Sequence, residues 1–191
     1  MGRPPRHDRD RLLDAAVDLV SEGGPSDVTV AAVARAAGAP SGSVYHRFPS
    51  AAALLAAVWL RTVERFQAGF VAAASAEPAE RAAVAAARHV VAWSRAHPRE
   101  ARVLQYGPRD FGQADWPDAD RELLATANGR VREVVVGLAA RLGRPDDLGR
   151  VVLALVDVPQ SLVQRHLREG TPIPESAEDL VAEAATVLLG L

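Results

Sequence analysis

The chain has 191 residues, 49% of them apolar, with 22 basic and 24 acidic side chains for a formal charge of −2 and no Cys. That supplies a core for one or two small domains. It excludes a disulfide scaffold, a thiolate metal or redox site and a generally polybasic protein, so any nucleic-acid contact must be local. Ala accounts for 38 residues and aromatics for only 5%; Ala is the best helix former and a poor strand former, so an all-α fold is expected, which periodicity and breakers divide into about nine helices.

The start, Met1-Gly2-Arg3-Pro4-Pro5-Arg6, is polar and leads into no apolar run suited to a signal peptide. The most apolar stretch, residues 50–60, is too short to span a bilayer and is followed by Arg61 and Glu64. A soluble, cytoplasmic protein with no membrane partner is expected. Leu12, Leu13, Ala16, Leu19 and Val20 make the first helical stripe, stopped by Gly23-Gly24-Pro25. Thr29 is a candidate N-cap for a short helix from Val30 to Ala37, and Gly38 suits the left-handed position after it. A second short helix is expected from about Ser41 to Phe48, ended by Pro49, with Ser50 capping a long helix that reaches about Ala74. Glu77-Pro78 opens a segment to His97, and Pro98 a shorter one to Gly107. Residues 107–117 read as a loop. Two further stripes follow, Leu123 to Leu142 and Leu148 to Leu167, the latter with a kink expected at Pro159. Ser176 with Asp179 resembles a capping box opening a final helix. The change from short to long helices sets the expected boundary, domain 1–50 and domain 51–191.

The pair of short helices is the most informative segment. Val30, Val33, Ala34 and Ala37 can face inward to meet Val44 and Phe48, which leaves Ser41, Gly42, Ser43, Tyr45, His46 and Arg47 on the other face. These are small or hydrogen-bonding groups without a carboxylate, suited to a phosphate-lined groove. A helix-turn-helix sets its second helix in the DNA major groove in this way. Between Val28 and Phe66 stand Arg35, Arg47, Arg61 and Arg65 against one acid, Glu64. Arg3 and Arg6 beside Pro4 and Pro5 suit a minor-groove arm, or a solvated tail. The competing structure for 29–48 is an ordinary helical hairpin inside a bundle.

On these residues, from Arg9 to Val58, the chain resembles the N-terminal DNA-binding domain of the TetR/AcrR family of bacterial transcriptional regulators. Thr29 opening helix two, Ala37-Gly38 at the turn and Gly42-Ser43-Val44-Tyr45-His46-Arg47-Phe48 carry the resemblance. It implies a homodimer of all-helical subunits, with three N-terminal helices on a double-stranded DNA operator and about six in a regulatory core. It also places Thr29, Ser41, Gly42, Ser43, Tyr45, His46 and Arg47 at DNA contacts, Tyr45 on a phosphate. The family usually has Lys at the start of helix four, and this chain has Ala51; Ala31 and Ala32 likewise replace residues that are often polar. Loss of one phosphate contact should flatten the salt dependence by about one unit of slope, with Arg47 and the N-terminal Arg residues able to compensate.

The resemblance also implies an effector pocket among helices four to seven. Its candidates here are Trp59, Phe66, Phe70, Trp93, Tyr106, Phe111 and Trp116, with Gln67, Gln105 and His89 as orienting groups; aromatics at helical spacing also serve simply as core. Helices eight and nine are implied to pair with their mates, which nominates Val152, Leu155, Val163, Leu180, Val187 and Leu188 for the dimer interface, or for packing within one subunit. No phosphate-binding Gly-rich loop, zincin or nucleophile-elbow motif is present. His166 and Glu169 lack a second Glu-x-x-His pair, so a solvated pair is expected, with no metal and no cofactor. The expectation is a ligand-responsive transcriptional regulator and not an enzyme: a repressor that binds a pseudo-palindromic operator as a homodimer and is released by an unknown small-molecule effector. The alternative is a helical ligand-binding or interaction protein that has lost DNA binding.

Overall fold

A computed structural model describes residues 5–191, with side chains from Arg9 onward; the arm expected at Arg3 and Arg6 lies outside those described side chains. Among the described residues there is no strand, and nine α-helices follow in order. These are α1 (Pro5–Gly23), α2 (Val30–Ala37), α3 (Ser41–Arg47), α4 (Ala51–Ala74), α5 (Ala79–Ala96), α6 (Pro98–Val103) and α7 (Asp118–Arg141). Next, α8 runs continuously through Leu148–Val152, a π-helical turn at Leu153–Asp157 and Val158–Glu169, and α9 is Ser176–Leu189. Among the described residues no helix is long and apolar enough to cross a membrane.

The chain divides into two compact units, Met1–Val63 with Arg99–Leu124, and Glu64–Pro98 with Ala125–Leu191. Both α4 and α7 therefore run from one unit into the other. In the first unit, Leu12, Leu13, Ala16 and Val20 of α1 share a core with Val33, Val44, Phe48, Leu54 and Val58, and Val103, Phe111, Trp116 and Leu124 fill the same core. The segment expected to be a loop at 107–117 is thus built structure, two 3₁₀ turns at Pro108–Phe111 and Gln113–Asp115. The Gly107 N–H donates to the Asp110 carboxylate (2.6 Å), and the Trp116 indole donates to the Phe111 carbonyl (2.7 Å). Gly112 joins the two turns at φ 67°, a left-handed conformation open to Gly at little cost. Local hydrogen bonds and two buried rings fold this stretch where its Pro and Gly content alone suggested irregularity.

The second unit is packed around small residues. Ala82, Ala83, Ala86 and Ala87 of α5 are buried with Leu138, Val151, Leu155, Val163, Val181, Ala185 and Leu189. Arginines satisfy helix ends here: Arg141 donates to the Ala74 and Ala76 carbonyls at the end of α4 (2.5 and 2.8 Å), and Arg144 to the Leu189 carbonyl (2.5 Å). The irregularity expected at Pro159 takes the form of the π-turn just before it, in which the Val158 N–H reaches the Leu153 carbonyl. Pro159 has no N–H to continue the α ladder. The capping box expected at Ser176 does not form. Ser176 is already helical, no side chain caps α9, and the Asp179 carboxylate accepts instead from Arg88 of α5 (2.7 Å), beside an Arg95–Glu178 pair (2.6 Å). His166 hydrogen-bonds Thr171 (2.9 Å) across the end of α8 rather than pairing with Glu169.

Candidate nucleic-acid interface

The geometry of the short-helix pair follows from its caps. Thr29 is extended (φ −110°, ψ 156°), and its hydroxyl oxygen accepts the Ala32 N–H at 3.1 Å; such a cap is worth about 1 kcal/mol. Gly38 ends α2 in the left-handed region (φ 61°, ψ 36°), and the Ala39 N–H returns to the Ala34 carbonyl at 2.9 Å. Pro40 then sets the direction of α3 with φ −61°. Val44 and Phe48 are buried, which turns Ser41, Gly42, Tyr45 and His46 outward at helical spacing, with 57% of Tyr45 exposed. A Cβ at Gly42 would meet nothing within 4 Å, so this Gly is not required by packing and bares the backbone of an exposed turn.

Two cations behave differently from the simple outward reading. Arg47 is half-buried and folds back along α3, donating to the Ser43 carbonyl and hydroxyl, both at 3.0 Å. Arg61, counted among the local positive charges, is only 13% exposed; it pairs with Asp14 at 2.8 Å and donates to the Asp10 carbonyl at 3.2 Å. It ties α4 to α1 and offers little charge to solvent. Arg35 and Ala51 are exposed, and Ser50 caps α4 by accepting the Ala53 N–H at 3.0 Å. One functional candidate escaped the sequence: the exposed Arg9 guanidinium lies 5.3 Å from the centre of the Phe48 ring. Its position one turn before Leu12 and Leu13, on the same face of α1, was the available signal.

The aromatic residues nominated for an effector pocket fall into two groups. In the first unit, Trp59 packs on Phe111 (5.2 Å between ring centres), which Tyr106 meets edge-on at 6.5 Å, while Phe111 and Trp116 are fully or almost fully buried. In the second, Phe66 contacts Phe70, His89 and Trp93 at 6.4, 5.5 and 5.3 Å. Gln67 donates to Asn128 (3.0 Å), and Gln105 is exposed in the first unit. The Nε2–H of His89 donates to the Phe66 carbonyl at 2.9 Å, since a carbonyl can only accept. Burial lowers the pKa of this imidazole below its ordinary value, against the opposing effect of that bond. Gly69 makes room for the ring: a Cβ there would stand 2.3 Å from it.

Of the residues nominated for a dimer interface, Val187 and Leu180 are exposed (74% and 55%), and Val152 and Leu188 are half-buried. Leu155 and Val163 lie instead in the core of their own unit, because they share the face of α8 that packs inward with Val151. Leu153, which the sequence did not single out, is exposed in the π-turn.

Residues 12–58 match the family model described as bacterial regulatory proteins, tetR family. Among curated proteins none matches the sequence. A TetR family transcription regulator from Marinobacter aquaeolei VT8 has a similar structure at 18% identity, covering 96% of this chain and 95% of that one, with a TM-score of 0.76. A TetR-like transcriptional regulator from Rhodococcus sp. RHA1 aligns over all of both chains at 20% identity, with a TM-score of 0.75. FadR from Bacillus subtilis, solved in complex with stearoyl-CoA, aligns over 94% of this chain and 97% of its own at 14% identity, with a TM-score of 0.71. At these identities the likeness to solved structures is one of fold. The matching family and these structures are transcriptional regulators, not enzymes.

Proposed function

We propose, on the match of residues 12–58 to the family model of bacterial regulatory proteins of the tetR family, that the chain is a ligand-responsive repressor of that family acting in the cytoplasm on nucleoid DNA. As a homodimer it sets two copies of α3 into successive major grooves, about 34–36 Å apart, on a pseudo-palindromic operator. The observation that carries this reading is the division of α3, with Val44 and Phe48 locked into the core and Ser41, Gly42, Tyr45 and His46 turned to solvent. Phosphates position such a helix, and base edges give it sequence preference. Val152, Leu180, Val187 and Leu188, with Leu153 next to Val152, supply the apolar face for the second copy.

The regulatory half takes a small-molecule effector, a reading supported by the likeness in fold to a regulator solved with stearoyl-CoA. The effector acts by binding the state that fits DNA poorly better than the state that fits it well. Each tenfold shift between them requires about 1.4 kcal/mol of differential affinity. Ala51 favours a second reading, a ligand-binding protein without DNA affinity. Fluorescence anisotropy on the duplex upstream of the coding sequence separates the two. The repressor reading expects a salt-sensitive complex stronger than on scrambled duplex, weakened in Tyr45→Phe with the fold unchanged. Equal binding by wild type and Tyr45→Phe overturns the assignment of α3, and no binding at all favours the second reading.

A further inference from the structure

The N-terminal end of α1 carries a cation in an unusual place. Arg9 stands one turn before Leu12 and Leu13, on the stripe that α1 buries, where a longer apolar helix would continue the core. The chain puts there an exposed Arg whose guanidinium sits 5.3 Å from the centre of the Phe48 ring, at the C-terminal end of α3. The ring face attracts the cation and covers part of its stem, while the charged head keeps access to solvent. Such a contact restricts the side chain before any partner arrives.

The surrounding charges favour an anionic partner for this Arg. Exposed Asp10 stands next to Arg9, but Arg11 follows it, and the later acids of α1 are engaged elsewhere, Asp14 with Arg61 and Asp18 with Arg99, both at 2.8 Å. Along the chain, Phe48 lies three residues before Ala51, the position at which the first turn of α4 offers no cation. Arg47, the other cation at this end of α3, is committed to Ser43. We propose that Arg9, held over Phe48, is a phosphate contact of the DNA-binding face and supplies from α1 the charge that position 51 lacks. The proposal rests on the reading of α3 as a DNA-binding helix. It assigns Arg9 to the DNA backbone and gives it no part in base recognition.

The test is the salt dependence of binding, measured by anisotropy on the upstream duplex and on a scrambled duplex of the same composition. Arg9→Ala is expected to weaken both complexes by the same factor and to make the slope of log Kobs against log salt shallower by about 0.9. Arg9→Gln keeps a planar group over Phe48 without charge and should give the same slope, which guards against a variant that simply folds poorly. Adding Ala51→Lys to Arg9→Ala should return the slope to the wild-type value. An unchanged slope in both Arg9 variants, a loss confined to the upstream duplex, or no recovery with Ala51→Lys overturns the proposal. If Tyr45→Phe weakens binding while the Arg9 variants do not, only the Arg9 assignment falls. If wild type binds neither duplex, the proposal falls together with the reading of α3.

Discussion

The two units of this molecule solve the same packing problem with different residues. The first, which carries α2 and α3, has helices too short to bury much surface alone, and it recruits Trp59, Phe111 and Trp116 to close its core. The second consists mostly of longer helices brought close by Ala82, Ala83, Ala86 and Ala87, with arginines satisfying the ends of α4 and α9. Large buried rings complete the core of the first unit, so it should be sensitive to deletions. Many small side chains hold the second, so it should be sensitive to additions.

The largest expected effect tests the first half of that contrast. Phe111→Ala removes a fully buried ring and should cost roughly 3–5 kcal/mol of stability by urea unfolding. Hydrogen exchange should also quicken at the α2 and α3 amides, although Phe111 is distant from them in sequence. Unchanged protection there would show that the segment 99–124 is not part of that unit's core. Ala86→Leu tests the other half, since it adds volume to a fully buried position on α5 and should cost about 1–3 kcal/mol. A neutral result would show that α5 has room, and that its alanines are not what sets the helix spacing.

The smallest effect is a pH dependence at His89. Its folded pKa lies below the ordinary 6.5 because the ring is partly buried. The unfolded chain therefore takes up the proton first as pH falls. The contribution of neutral His89 to stability is fully present above pH 6.5 and is lost as pH falls from there through the folded pKa. Urea unfolding at a series of pH values should show wild type losing stability below that point more steeply than His89→Gln. Parallel curves would remove His89 from the account.

Much of the first unit was legible in the sequence because its signals are local. Thr29, Gly38, Pro49 and Ser50 act on their immediate neighbours, and three of their roles are visible as an N-cap, a left-handed turn and a second N-cap. What escaped depends on side chains meeting across the fold. Arg9 on Phe48, Arg61 on Asp14 and Asp179 on Arg88 join elements distant in sequence. The last engages the carboxylate expected in the capping box, while Ser176 itself already lies inside α9. The built segment 107–117 escaped for the opposite reason. Its hydrogen bonds are local, but the burial of Phe111 and Trp116 that stabilises them comes from a core assembled with α1 and α4.

Hydroxyl-radical footprinting of the DNA upstream of the coding sequence tests the central claim most directly. The account predicts two protected segments whose centres lie about 10–10.5 base pairs apart, one per copy of α3, and both fading together in Tyr45→Phe. A single protected segment, or a footprint that Tyr45→Phe leaves intact, would contradict it.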